Sequence, residues 1–150
     1  MSEGVIMFIR RGDPEEVLLE TSGRPVSPDD EIKILDEDDN EVESGGVGEF
    51  CVRGPYTLRG YFGVPEHNKR AFTTDGFYRS GDLMRMHPSG NYIVEGRIKD
   101  LINRGGEKIS PLEVDAVLLE HPEVEEAVCF GVPDEKYGEE VHAAVVLKGD

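Results

Sequence analysis

The sequence predicts an α+β chain: mainly antiparallel β structure with a barrel-like arrangement over residues 1–97, then a small α+β region over residues 98–150. Three observations carry this. Short apolar or alternating runs separated by turn residues fill the first part, a proline-marked helix start stands at Ser110, and two longer apolar runs close the chain. In order, the strand-like runs of the first part are Val5–Ile9, Val17–Leu19, Ile32–Leu35, Gly48–Arg53 and Tyr92–Glu95. The polar tip Asp36–Asn40, Gly45-Gly46, Asp75-Gly76 and the cluster Pro88-Ser89-Gly90-Asn91 punctuate them. Pro65–Phe72 reads as a short helix, because proline is tolerated in a first turn.

The pattern changes after Arg97. Ser110-Pro111-Leu112-Glu113 offers a cap residue, a proline suited to the first helical position and an acid three residues after the cap, which predicts a reciprocal capping box and a helix from Pro111 to Glu120. Glu126–Val132 and Val141–Leu147 then read as core strands joined by the loop Pro133–Glu140. The second region stops straight after a strand and so reads as incomplete.

Sixteen Lys and Arg against 32 Asp and Glu leave a formal charge of -16, which argues against binding to nucleic acid through its phosphates. The charge is uneven. Residues 13–49 hold 14 acids and 2 bases, residues 113–140 hold 10 acids and 1 base, and residues 50–112 hold 6 acids and 10 bases. A small anion such as a nucleotide phosphate would be drawn to the positive middle. A solvated acidic surface, as in a salt-adapted organism, is the other reading of the same numbers. The longest clean apolar stretches, Val5–Ile9 and Ala143–Leu147, fall far short of a membrane span, and the N-terminus lacks the basic-then-apolar order of a signal peptide. The expectation is a cytoplasmic chain with no membrane partner. Cys51 and Cys129 each sit inside an apolar run and read as core thiols, while His67, His87, His121 and His142 show no zinc spacing.

No G-x-S-x-G elbow and no Walker phosphate loop is present, and Gly46-x-Gly48 has Cys51 where a dinucleotide fingerprint needs its third glycine. Two segments remain: Tyr78-Arg79-Ser80-Gly81-Asp82-Leu83, and the run from Gly96-Arg97-Ile98-Lys99-Asp100 through Asn103-Arg104-Gly105-Gly106-Glu107-Lys108 to Ser110-Pro111-Leu112-Glu113-Val114. They resemble the signature segments of the adenylate-forming superfamily, which holds acyl- and aryl-CoA synthetases, peptide-synthetase adenylation domains and luciferases. Met1-Ser2-Glu3-Gly4 looks like the end of that superfamily's aromatic-Gly-x-Thr/Ser-Glu motif. On this resemblance residues 1–97 match the end of the large adenylation domain, and residues 98–150 the first part of the small C-terminal domain.

The resemblance implies roles. A carboxylate offers two acceptor oxygens to the two vicinal hydroxyls of ribose, and Asp82 is the family's ribose-binding position. A turn or cap aspartate is the alternative. Arg97 would contact the nucleotide through its planar guanidinium, or else pair with one of the many acids. Glu3 matches the glutamate linked to magnesium. Lys99 falls at the hinge about which the small domain swings between half-reactions. Gly105 and Gly106 match the turn that approaches the pantetheine arm of the acceptor thiol; a plain hairpin turn is the alternative. Lys108 reads equally as a site-lining or a solvated residue.

The stretches Thr21–Glu31, Arg53–Tyr61 and Pro65–Asn68 look most like aryl-acid adenylating enzymes of the 2,3-dihydroxybenzoate-AMP ligase type, whereas Glu113–Lys148 looks closer to CoA ligases. The expected function is therefore part of an ATP- and magnesium-dependent ligase. Such an enzyme activates a carboxylic acid, aryl in the first reading and aliphatic in the second, and passes it to CoA or to carrier-protein phosphopantetheine. A non-catalytic nucleotide-binding or interaction module is the alternative from another class. The family's upstream phosphate loop and C-terminal lysine are not in these residues, so this stretch alone is expected not to adenylate.

Overall fold

The computed structural model describes residues 4–149, and the chain divides between Val94 and Glu95 into two units. In the first, β1 (Met7–Phe8) pairs antiparallel with β2 (Arg24–Pro25). Between them lies α1 (Glu15–Glu20), where the apolar run Val17–Leu19 reads as a strand from sequence. The helix wins for local reasons. Glu15 and Glu16 sit at the positive end of its dipole, leucines are good helix formers, and the Thr21 hydroxyl donates to the Val17 carbonyl at 2.7 Å. Only Val17 of the three apolar residues is buried.

The main sheet has the order β3 (Glu31–Leu35), β4 (Gly48–Arg53), β5 (Tyr78–Met86), β6 (Tyr92–Arg97). Both β3 and β5 run antiparallel to β4. The sheet is open: among the described residues no pairing returns from β6 to β3, so the barrel-like region is a four-stranded antiparallel sheet. The helix α2 (Pro65–Ala71) precedes β5. Sequence reasoning found β3, β4, β6 and α2 but missed β5, because Arg79 and Ser80-Gly81-Asp82 interrupt its alternation.

Strand β4 is buried on both faces, as side chains alternating with period two allow. Phe50 and Val52 join Val5, Tyr78 and Met84 in one cluster, while Cys51 points the other way and joins Leu35 and Phe77. At the sheet's surface Arg53 grips its register partner Glu31 through two hydrogen bonds of 2.9 and 2.7 Å.

In the second unit a single 3₁₀ turn (Ile98–Asp100) leads into the hairpin β7 (Ile102–Arg104) and β8 (Glu107–Ile109). After α3 (Pro111–Leu119) come β9 (Val124–Asp134) and β10 (Gly138–Leu147), in a sheet of order β8-β7-β10-β9. The capping box expected at Ser110 does not form. The Ser110 hydroxyl instead donates to the Glu95 carbonyl at 3.0 Å, a tertiary partner that local sequence does not reveal. Asp115 ties α3 to β9 by accepting the Cys129 backbone N–H at 2.5 Å. Ile102, Val124 and Cys129 are the buried apolar residues of this unit among those described. No helix of the described residues is long and apolar enough to cross a membrane.

Both cysteines are free and buried. Burial, reinforced by the nearby Glu49 charge, pushes the Cys51 thiol up to about 12. At pH 8 the thiolate is then about a thousandfold scarcer than for an ordinary thiol. Cys51 is expected to resist an aromatic disulfide reagent at pH 8 in the folded protein and to react fully in denaturant; complete reaction without denaturant would contradict its place in the core.

Candidate functional site

The Asp82 site is built by an irregularity in β5. Glu49 pairs with Leu83 and Cys51 with Arg79, so three residues, Ser80, Gly81 and Asp82, stand opposite the single residue Phe50. This is a β-bulge of two extra residues rather than the simple turn that Ser-Gly suggests. Bulges re-aim side chains at sheet positions next to functional sites. Glycine is required at its centre, because Gly81 has φ +72°.

Side chains satisfy the amides that the bulge removes from the ladder. The Gly81 N–H donates to Glu49 Oε1 at 3.2 Å, and the Asp82 N–H donates to Ser80 Oγ at 3.0 Å. The other oxygen of Glu49 accepts from Arg79 Nη1 at 2.6 Å, and Arg79 Nη2 pairs with Asp39 in the β3–β4 turn. Partial burial alone would lower the Arg79 pKa, but the hydrogen bonds to Asp39 and Glu49 outweigh it and hold the guanidinium above its ordinary value. The half-buried Asp82 is thus carried on a backbone whose polar groups are held, with the carboxylate chemistry that suits a vicinal diol.

The remaining predicted residues belong to the second unit or lie outside the description. Arg97 is exposed at the end of β6, and the exposed Lys99 is in the middle of the 3₁₀ turn. Gly105 and Gly106 share one two-residue hairpin turn between Arg104 and Glu107, which pair in register. Their φ values of +62° and +96° are those of a primed hairpin turn. The tip is pinned. The Gly105 N–H donates to the Tyr137 carbonyl at 2.7 Å, the Gly106 N–H donates to Asn103 Oδ1 at 3.0 Å, and Arg104 lies 4.3 Å over the Tyr137 ring. Arg104 also makes two hydrogen bonds to Glu140, at 2.9 and 3.1 Å. A Cβ on Gly106 would meet nothing within 4 Å, so this side of the turn is open to an approaching group. Glu3, expected from the resemblance to serve magnesium, lies outside the described residues, and among those described no three His, Cys, Asp or Glu gather to hold a metal ion.

Sequence reasoning missed Glu49. Arg79 stands inside the Tyr78–Leu83 segment, but its partners Glu49 and Asp39 are 30 and 40 residues away, beyond any local spacing rule. The one available signal was a lone acid between Gly48 and the apolar run Phe50-Cys51-Val52.

A half-buried carboxylate on a β-bulge and a pinned diglycine hairpin are carried in segments that lie between two family matches. Residues 1–62 match the AMP-binding enzyme model and residues 113–150 match the AMP-binding enzyme C-terminal domain model. The chain belongs to this adenylate-forming family. Among its relatives, a salicylyl-CoA synthase / salicylate adenylyltransferase of Streptomyces sp is 51% identical, over 99% of this chain and 27% of its own length. The 2,3-dihydroxybenzoate-AMP ligase of Bacillus subtilis is 48% identical, over 93% of this chain and 26% of its own length. The crystal structure of ATP-bound MatB from Rhodopseudomonas palustris superposes with a TM-score of 0.86 at 33% identity, covering 100% of this chain and 30% of that one. The chain spans about a quarter of the length of the curated relatives it matches.

Proposed function

We propose that this chain forms the ribose-binding, hinge and thiol-approach part of an ATP-dependent ligase for an aryl carboxylic acid of the salicylate or 2,3-dihydroxybenzoate type. In such a reaction a carboxylate oxygen attacks the α-phosphorus of ATP, the bond to the bridging oxygen breaks, and pyrophosphate leaves. The acceptor thiolate then attacks the acyl carbon, and AMP departs with the bonding pair. The acceptor is CoA or a carrier-protein phosphopantetheine.

Within this reading each residue has one task. Asp82 accepts hydrogen bonds from both ribose hydroxyls, and Arg97 orients the nucleotide through its permanent charge. Lys99 is the pivot, the open side of Gly105-Gly106 admits the acceptor's arm, and Glu3 is the magnesium ligand that the family resemblance assigns. Fixed donors and acceptors contribute to such a reaction by holding the nucleotide in the attack geometry, which removes orientational entropy from the barrier.

The observation that carries the proposal is Asp82 on its bulge, within a Tyr78–Leu83 segment that resembles the family's signature. The test is an NMR titration of the 150-residue chain with AMP, beside Asp82→Ala. Saturable shifts at Gly81 and Asp82 are expected in the native chain, with affinity at least about tenfold weaker in the variant, as loss of two hydrogen bonds to a charged group implies. A folded native chain with no shifts there would overturn the reading.

A further inference from the structure

Glu49 takes no part in the roles above, yet its carboxylate reaches the bulge from the neighbouring strand. Its side chain is only 13% exposed, and its two oxygens face different tasks: one accepts the Gly81 N–H and the other accepts from Arg79. We infer that Glu49 is the positioning residue of the ribose site, holding the Ser80–Gly81–Asp82 bulge in shape through the Gly81 amide while Arg79 and Asp39 fix the direction of its carboxylate. The inference deepens the Asp82 reading and rests on it for the word ribose.

The physical case is one of accounting for donors. A bulge that sets three residues against one strips amides of their cross-strand carbonyls, and an amide left without a partner in a half-buried strand costs much of what a hydrogen bond is worth. Among the described residues two side chains meet that need, Ser80 for the Asp82 N–H and Glu49 for the Gly81 N–H. Glu49 reaches the bulge from the neighbouring strand, so it ties the loop to the rigid core strand β4, where Phe50 and Cys51 follow it. A carboxylate suits the position because it accepts on both oxygens. A glutamine offers one oxygen and would turn its NH2 toward either the amide or the guanidinium. Arg79 in turn is held at both ends of its fork, by Glu49 and by Asp39, whose left-handed backbone (φ 64°) places it at the tip of the β3–β4 turn. The chain of contacts runs from that tip through Arg79 and Glu49 to the amide next to Asp82.

An ion pair that merely stabilises the sheet would behave differently, and the same sheet supplies the control. Glu31 and Arg53 form a two-bond cross-strand pair on β3 and β4 that touches nothing in the bulge. The experiment measures amide hydrogen exchange at Gly81 and AMP affinity by NMR in the whole chain for Glu49→Ala, Glu49→Gln and Glu31→Ala. Glu49→Ala is expected to speed Gly81 exchange about tenfold or more relative to the β4 amides and to weaken AMP at least about tenfold. Glu49→Gln, which keeps one acceptor and the same volume, is expected to fall between Ala and native on both readouts. Glu31→Ala is expected to leave both unchanged.

Unchanged Gly81 exchange in Glu49→Ala overturns the inference whether or not AMP binds. If that variant fails to fold, Glu49→Gln decides alone, and native values on both readouts overturn the inference. A native chain that ignores AMP while Gly81 exchange still responds to Glu49 overturns the ribose reading and leaves Glu49 as the holder of the bulge. Equal effects of Glu31→Ala and Glu49→Ala would reduce Glu49 to one sheet ion pair among others and overturn the proposal.

Discussion

Phe50→Ala is expected to cost the first unit about 3–5 kcal/mol, the range for emptying a fully buried aromatic site. Phe50 is 0% exposed and lies in the cluster of Val5, Val52, Tyr78 and Met84. Its ring also meets the Tyr92 ring edge-on, with centroids 5.3 Å apart and planes at 72°. Collapse to fill the gap is hindered, because Phe50 stands on an inner strand, paired with Ile34 on β3 and facing the bulge of β5 on the other side. Against a typical domain stability of about 5–15 kcal/mol this is a large share. Urea unfolding followed by circular dichroism should show the midpoint falling sharply for Phe50→Ala and the unfolding free energy falling by only about 1 kcal/mol for Phe50→Leu, which keeps most of the volume. Because the bulge is built opposite this residue, the AMP affinity proposed for Asp82 should fall in Phe50→Ala as well. A midpoint within experimental error of the native one would mean that the two-faced packing of β4 is not the core of the unit.

The α+β class was readable because most elements announce themselves locally. Pro65 and Pro111 open the helices they predict, and the long apolar runs near the end become β9 and β10, which extend past the predicted ends. What failed did so where a tertiary partner overrides a local signal. Strand β5 is hidden because its bulge breaks the alternation that marks a strand. The α1 segment looked apolar enough for a strand, yet only Val17 finds a core and the acids before it favour a helix. Ser110 has the sequence of a cap but spends its hydroxyl on Glu95. The same division holds for the candidate site. Asp82, Arg97, Lys99, Gly105 and Gly106 stand out in linear segments that resemble the family's, whereas Glu49 and the Arg79–Asp39 pair exist as a unit only once β3, β4 and β5 are side by side.

In the second unit the corresponding test is Ile102→Ala, with an expected loss of about 2–5 kcal/mol. Ile102 is 2% exposed, and its Cγ2 lies 3.4 Å from where a side chain on Gly131 of β9 would begin, beside the Glu139 carboxylate at 2.8 Å, so the two side chains share the space that glycine leaves. Val124 and Cys129 are the other buried apolar residues of this unit among those described, while Val117 and Phe130 are 64% and 43% exposed. A unit of this size carries roughly 3–8 kcal/mol of stability at ordinary values per residue. Losing one of so few buried side chains should therefore leave it close to unfolding. Exchange protection of the β9 and β10 amides, which pair along the length of both strands, is the readout; it should collapse toward that of an unfolded chain. Ile102→Val should cost about 0.5–1.5 kcal/mol and retain protection. The substitution also reaches the diglycine turn. Ile102 begins the strand that ends in Arg104, so the contacts of Arg104 with Glu140 and Tyr137 hold the turn only while β7 stays anchored by its one buried residue. Protection of the Gly105 amide, bonded to the Tyr137 carbonyl, should be lost together with that of β9. Its survival in Ile102→Ala would show that the turn is held by the arginine and tyrosine contacts without the core beneath it.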